Sequence, residues 1–390
     1  MQLCSVETKK LLGTDQMPAG TQNNNAAARL SELNPASPGK RAIMNDSKPE
    51  ELKPQLWPSP GVAAESIANQ PLNPAAPFFA TEPDQRQSTA PAAAAGRNIL
   101  QDVLPHEWIF GAFLFLTGLR LLIHGGEARV WSYWFLGCWL AAVAVFFWAE
   151  RNLTPTRWRV RLLFYPAAMG IAFYALGLAV PLLGNPKVDP LLLSWDRALL
   201  GETPAVAWEP WLRPWLENLA MAGYLFFFYY LIAGPGRYCL RNLRLFRQCI
   251  VGLFTLYGLA FMGYTVLPAG GPHRWMTFAT PLHGWLLEWT LKPVNGVSNS
   301  VDVFPSVHLA GTLYLLLFDW QHARRRFWWV LLPCLLLWFS TLYLRFHYFV
   351  DLLAGAVVAL AGWWMAQRYA AATDGQPMLA SEFNQPPASP

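Results

Sequence analysis

The chain has 390 residues, of which 54% are hydrophobic and only 14% charged, and it carries 20 Trp. That composition excludes an ordinary soluble domain and is polytopic membrane protein in character. The formal net charge of +5 is modest; its arginines fall in short clusters between apolar runs, which fits loops at a membrane surface and excludes a nucleic-acid partner.

From residue 1 to 98 the sequence is rich in Pro, Ala, Asn, Gln and Ser with no sustained apolar period. Such a stretch cannot bury enough surface to offset the entropy of ordering, so it is expected to be disordered, as is a tail over 369–390. The start, MQLCSVETKKLLGTDQ, turns polar at once, and no cleaved signal is expected. Five scattered cysteines (Cys4, Cys138, Cys239, Cys249, Cys334) form no CxxC and read as reduced and structural.

A helix crossing roughly 30 Å of hydrocarbon needs about 20 apolar residues. Eight stretches come near this, over 108–124, 131–147, 162–183, 215–233, 250–267, 305–320, 328–344 and 348–365. The predicted fold is therefore an all-α bundle of about eight transmembrane helices, with accessory helices over 99–184 and a core over 185–368. Arginines concentrate in every second connection: Arg151, Arg157, Arg159 and Arg161; Arg237, Arg241, Arg244 and Arg247; Arg324, Arg325 and Arg326. Because short cytoplasmic loops collect Lys and Arg, both termini are expected inside a multi-pass plasma (inner) membrane protein, with 184–214, 268–304 and His347 on the outer side. Trp and Tyr near the span ends read as interfacial anchors.

The chemistry concentrates at that outer face. His347 and Asp351 are four residues apart, so on a helix they share one face, and the carboxylate can hold one imidazole nitrogen while leaving the other as a directed nucleophile. His308 follows Phe304-Pro305-Ser306-Val307, a suitable first helical turn whose N–H groups and dipole attract an anion, and a histidine there can protonate a leaving oxygen. In Pro268-Ala269-Gly270-Gly271-Pro272-His273-Arg274, the glycines around Gly271 let backbone N–H groups approach an anion, and Arg274 offers a planar fork for phosphate oxygens. Arg345 is a second nearby cation that either snorkels to the interface or assists the phosphate. Together these describe phosphoryl transfer through a phosphohistidine.

The segments FPSVH and STLYLRFHYFVDLLAG resemble the second and third signatures of the type 2 phosphatidic acid phosphatase superfamily, closest in wording to its inositolphosphotransferase branch, which contains inositol phosphorylceramide synthases. The likeness runs over about 190–364 and includes an SWDRALLG segment in the outer loop. It implies His347 as nucleophile, Asp351 as its orienter, His308 as general acid and Ser306 beside the phosphate. It also implies a phospholipid or lipid-phosphate substrate in the bilayer, an alcohol or water as acceptor, and neither metal nor cofactor. The chain departs from the general family at two places. Thr341 stands where the third signature has Arg, while Leu267 and Trp275 stand where the first has Lys and Pro.

Two other classes are compatible with parts of this pattern. Two His and one Asp can make an iron facial triad, although His-box lipid hydroxylases use many more histidines. A transporter or lipid-binding scaffold would use the same fold without chemistry. The residues leave hydrolase or transferase, the lipid, and the oligomeric state open.

Overall fold

The structure, a computed structural model, describes residues 102–152, 154–290 and 300–373. The region 1–98 expected to be disordered, Cys4, and the tail beyond 373 lie outside the described residues. Nine principal helices follow one another: α1 (Pro105–His124), α2 (Ala128–Glu150), α3 (Pro155–Ala179), α4 (Asp189–Leu200), α5 (Pro214–Arg241), α6 (Leu243–Val266), α7 (Val307–His322), α8 (Arg324–Tyr343) and α9 (Phe349–Thr373). Among the described residues there is no β-strand, only an isolated bridge between Ala269 and Asp302.

Seven helices are long and apolar enough to cross a membrane: α1, α2, α3 with its 3-10 extension to Leu183, α5, α6, α8 and α9. The eighth expected span, α7, has 16 residues, about 24 Å at 1.5 Å per residue and short of the hydrocarbon thickness. Helix α6 is the central post, with 78% of its most apolar window buried, and α1, α3, α5, α7 and α9 pack around it. Its all-round apolar surface suits a helix enclosed by others.

The helices run further than apolarity alone suggested. Arg157, Arg159 and Arg161 lie in the opening turns of α3, Arg237 and Arg241 end α5, Arg244 and Arg247 open α6, and Arg324, Arg325 and Arg326 open α8. Only Asn242 separates α5 from α6 and only Ala323 separates α7 from α8. Backbone hydrogen bonding favours continuing a helix past the hydrocarbon, and the long basic side chains lie over rings, as with Arg157 on Trp148 (4.9 Å) and Arg324 on Trp320 (3.5 Å).

At this basic end two buried knots fasten the bundle. Arg161 bonds Glu107 (2.5 Å), Glu150 (2.8 Å) and the Asp102 carbonyl (2.9 Å), joining α1, α2 and α3. Asp319 near the end of α7 accepts from Tyr230 (2.8 Å), Tyr238 (3.2 Å) and Arg326 Nε (2.6 Å), joining α5, α7 and α8. With its last turn fixed here, the short α7 starts below the opposite end of the bundle, which is where His308 lies.

Removing one partner of such a knot leaves buried donors without an acceptor. Asp319→Ala is therefore expected to lower stability by about 3–5 kcal/mol, read as a fall in the thermal unfolding midpoint of detergent-purified protein.

Candidate active site

His347 sits in the turn between α8 and α9. The end of α8 is closed by Leu344 N–H donating to the Ser340 carbonyl (2.9 Å), and by Phe346 and His347 N–H donating to the Thr341 carbonyl (2.9 and 3.0 Å). Arg345 takes a positive φ of 66° within this turn, a conformation unfavourable for a side chain with a Cβ, held by the surrounding bonds. The doubled-back chain faces the imidazole inward. His347 Nδ1 lies 3.3 Å from Asp351 Oδ2, and Nε2 lies 3.1 Å from His308 Nδ1 and 3.4 Å from Ser306 Oγ. His347 is 2% exposed and Asp351 0%. The structure thus brings together four of the residues singled out from sequence, from the starts of two helices.

These helix starts are bonded to each other. Asp351 Oδ2 also accepts from Tyr348 N–H (2.8 Å), and the Asp351 carbonyl accepts from Ser306 N–H (3.0 Å). Ser306 Oγ caps α7 at Leu309 N–H (3.4 Å). Gly355 lets α9 come this near, since a Cβ there would stand 2.6 Å from the Ser306 carbonyl oxygen. His308 rests against Tyr224 and Phe227 of α5, ring centroids 4.8 and 4.5 Å away.

Two aspartates in the outer helix α4, both 0% exposed, hold the loops in place. Asp196 accepts from Phe349 and Val350 N–H (3.0 Å each) and from the Thr203 hydroxyl (2.8 Å). It therefore caps α9 from outside the helix. Asp189 accepts from Gly270 N–H (2.9 Å), Gly271 N–H (2.8 Å) and the Tyr348 hydroxyl (3.2 Å). This corrects the expectation for Gly271, because its backbone N–H serves an internal carboxylate in place of a phosphate. The glycine is needed for another reason: its φ is 83°, and a Cβ would stand 2.4 Å from the Phe346 carbonyl oxygen.

The two arginines part company. Arg274 is exposed on the rim, its Nε donating to His273 Nε2 (3.1 Å) and its Nη1 to Ser300 Oγ. Arg345 is 4% exposed, so it does not snorkel. Its guanidinium bonds Glu209 (3.2 Å) and the Thr280 carbonyl (2.9 Å) and lies 3.8 Å from the centre of the Phe278 ring. It fastens the segments around Glu209 and Thr280 to the His347 turn.

Burial keeps the His347 imidazole neutral. Burial lowers the His347 pKa from 6.5 to about 4, against the Asp302 charge and a hydrogen bond with the Val303 backbone, which raise it. Asp302 is a charged neighbour that sequence reading missed; Asp189, Asp196 and the aromatic pair on α5 were also missed. The signal for the aspartates was their spacing of seven with Leu192 between them, one face of α4, flanked by the exposed Leu191, Trp195 and Leu199. His308, His347 and Asp351 turn their donors on one another, so they do not converge on a common point as a facial triad would.

Residues 191–365 match the family model described as the PAP2 superfamily. This membrane core belongs to the PAP2 superfamily. The match begins within α4 and ends within α9, enclosing the whole histidine cluster. Over 69 residues, 17% of this chain, the sequence is 44% identical to an inositol phosphorylceramide synthase of Candida albicans, of whose length the match spans 14%. No solved structure matches.

Two outcomes follow for this PAP2 core. Asp196→Ala is expected to cost about 1–2 kcal/mol of stability as a lost helix cap and to lower kcat roughly 10- to 100-fold by loosening the His347–Asp351 geometry; Asp196→Asn, which keeps one accepting oxygen but turns an NH2 toward the other donors, should recover only part of it. The folded His347 titrates near 4 and the free imidazole near 6.5, so as pH falls the unfolded chain takes up the proton first. Stability is then full above about 6.5 and is lost toward pH 4, a slope that thermal unfolding should show reduced in His347→Gln.

Proposed function

We propose that the protein is an integral membrane lipid phosphotransferase, able to act as a phosphatase when water replaces the acceptor, working through a phosphohistidine on His347. The observation that carries this reading is the relay of Asp351 Oδ2, His347 and His308 Nδ1, with gaps of 3.3 and 3.1 Å. Nδ1 faces the carboxylate, which leaves Nε2 as the attacking atom with a proton donor on one side and Ser306 on the other. Attack of Nε2 on phosphorus forms a P–N bond and breaks the bond to the leaving alcohol, whose oxygen takes a proton from His308. An alcohol or water then gives its proton to His308, attacks phosphorus and releases Nε2. Arg274, on the rim beside His273, draws the phosphate charge, and the buried, low-dielectric setting strengthens each of these interactions.

A phospholipid donor with an alcohol acceptor is favoured by the likeness to a protein named as an inositol phosphorylceramide synthase. The side of the membrane follows from charge. The arginine clusters lie at the end of the bundle opposite the histidines, as the antiparallel helix order and the Arg159 Nε bond to the Cys239 carbonyl (2.9 Å) require. The preference for positive charge inside supports a site on the non-cytoplasmic face.

The decisive experiment gives detergent-purified protein a panel of phospholipids with and without alcohol acceptors, measuring free phosphate against transferred headgroup. His347→Ala should abolish turnover and acid-labile phosphate on the protein, His308→Ala should lower kcat by about 10²- to 10⁴-fold, and Arg274→Ala should act mainly on KM. Equal activity of all three variants would refute the site and leave a lipid-binding membrane protein.

A further inference from the structure

A third imidazole stands beside the relay. The one-turn helix Pro272–Trp275 wraps the nucleophile turn, with His273 N–H donating to the Arg345 carbonyl (2.9 Å). The His273 ring meets Phe346 edge-on at 5.3 Å between centroids, and Phe346 in turn lies 4.8 Å from the Tyr224 ring that touches His308.

Its protonation is fixed by its neighbour. Nε2 accepts the Arg274 Nε–H at 3.1 Å, and an accepting ring nitrogen carries no proton, so the neutral ring carries its proton on Nδ1. Burial, with help from Arg274 and His347 and against the nearby Arg345 carbonyl, lowers its pKa from 6.5 to about 4, which keeps the ring neutral at physiological pH. Nδ1 is nonetheless buried and has no hydrogen-bond partner among the described residues. A buried donor left unpaired is unfavourable, and native structures tolerate one chiefly where a ligand or water completes it. The Arg345 carbonyl near the ring already accepts the His273 backbone N–H.

We propose that His273 is a substrate-binding residue whose Nδ1–H donates to a non-bridging phosphoryl oxygen of the lipid held at His347. The assignment rests on the phosphohistidine reading above. It gives the phosphate a donor at a site where Leu267 and Thr341 replace the cationic residues that the resemblance calls for. Arg274 acquires a second role as the positioning residue that fixes the His273 tautomer.

The test uses two substitutions that each keep one half of the imidazole. His273→Asn keeps an N–H near the Nδ1 position, whereas His273→Gln keeps a group near Nε2 that can accept from Arg274. Full-length protein in detergent is assayed for kcat/KM and for inhibition by orthovanadate, an anion that binds without turnover. Loss of one hydrogen bond to a charged oxygen should weaken both by about 10- to 100-fold in Gln, with Asn within about threefold of wild type. Any result in which Asn fares no better than Gln overturns the assignment. A measurement without variants uses 15N-histidine-labelled wild type: orthovanadate should shift the Nδ1–H proton of one buried histidine downfield, and no shift would count against the proposal. Absence of acid-labile phosphate on wild-type His347 sinks the underlying reading too, while phosphoenzyme formation with a fully active Gln variant sinks this assignment alone.

Discussion

Two carboxylates one heptad apart on α4 carry the weight of the histidine end of the bundle. Asp189 gathers the Gly270–Gly271 backbone and the Tyr348 hydroxyl, while Asp196 takes the first free N–H groups of α9. A loop between membrane helices has few ways to be held, because its polar backbone gains nothing from hydrocarbon. Here buried anions substitute for a sheet or a disulfide, and each of them collects several donors, which is what a buried carboxylate requires. The nucleophile turn therefore inherits its rigidity from a helix that contributes no atom to the reaction. The adjoining flank of α4, with Leu191, Trp195 and Leu199 exposed, is suited to the membrane boundary.

The other end of the bundle sets the depth of the site. Asp319 ties the end of α7 to α5 and α8, and α7 is too short to reach the far surface from there. His308 is thereby recessed among Tyr224, Phe227 and His347. Such burial disfavours charge on imidazoles, so the cluster rests as neutral rings bonded to one another. In the proposed reaction, neutral nitrogen is the state His347 needs as a nucleophile, and an arriving phosphate would supply the negative charge that makes a protonated partner favourable. Fixing the polar groups before substrate binds is the form of catalysis in which little reorganisation remains for the transition state.

The departures from the superfamily pattern look different once the side chains are placed. Thr341 acts through its carbonyl, which accepts two N–H groups of the nucleophile turn. Arg345, the nearest cation in sequence to His347, is spent on Glu209 and Phe278, where it clamps the outer segments. In the proposed reaction, charge at the phosphate then centres on Arg274, backed by a neutral imidazole. A guanidinium and a buried ring need not be interchangeable with two or three cations, and the lipid's own charge state decides how well such a set matches it.

What the residues alone settled was the helical membrane class, the pairing of His347 with Asp351, and the presence of His308 at a helix start. All three follow from local rules: apolar runs long enough to cross a bilayer, a spacing of four on one face, and a Pro-Ser cap. Helix ends were less legible, because arginines that look like loop residues are kept helical by backbone bonding and by rings such as Trp148 and Trp320. The fate of Gly271, Arg274 and Arg345 could not be read locally at all. Whether a backbone N–H meets a phosphate or Asp189, and whether an arginine meets substrate or Glu209, depends on segments 82 and 136 residues away in sequence reaching the same place. Only the packing of α4, α7 and α9 against one another decides which donor finds which acceptor.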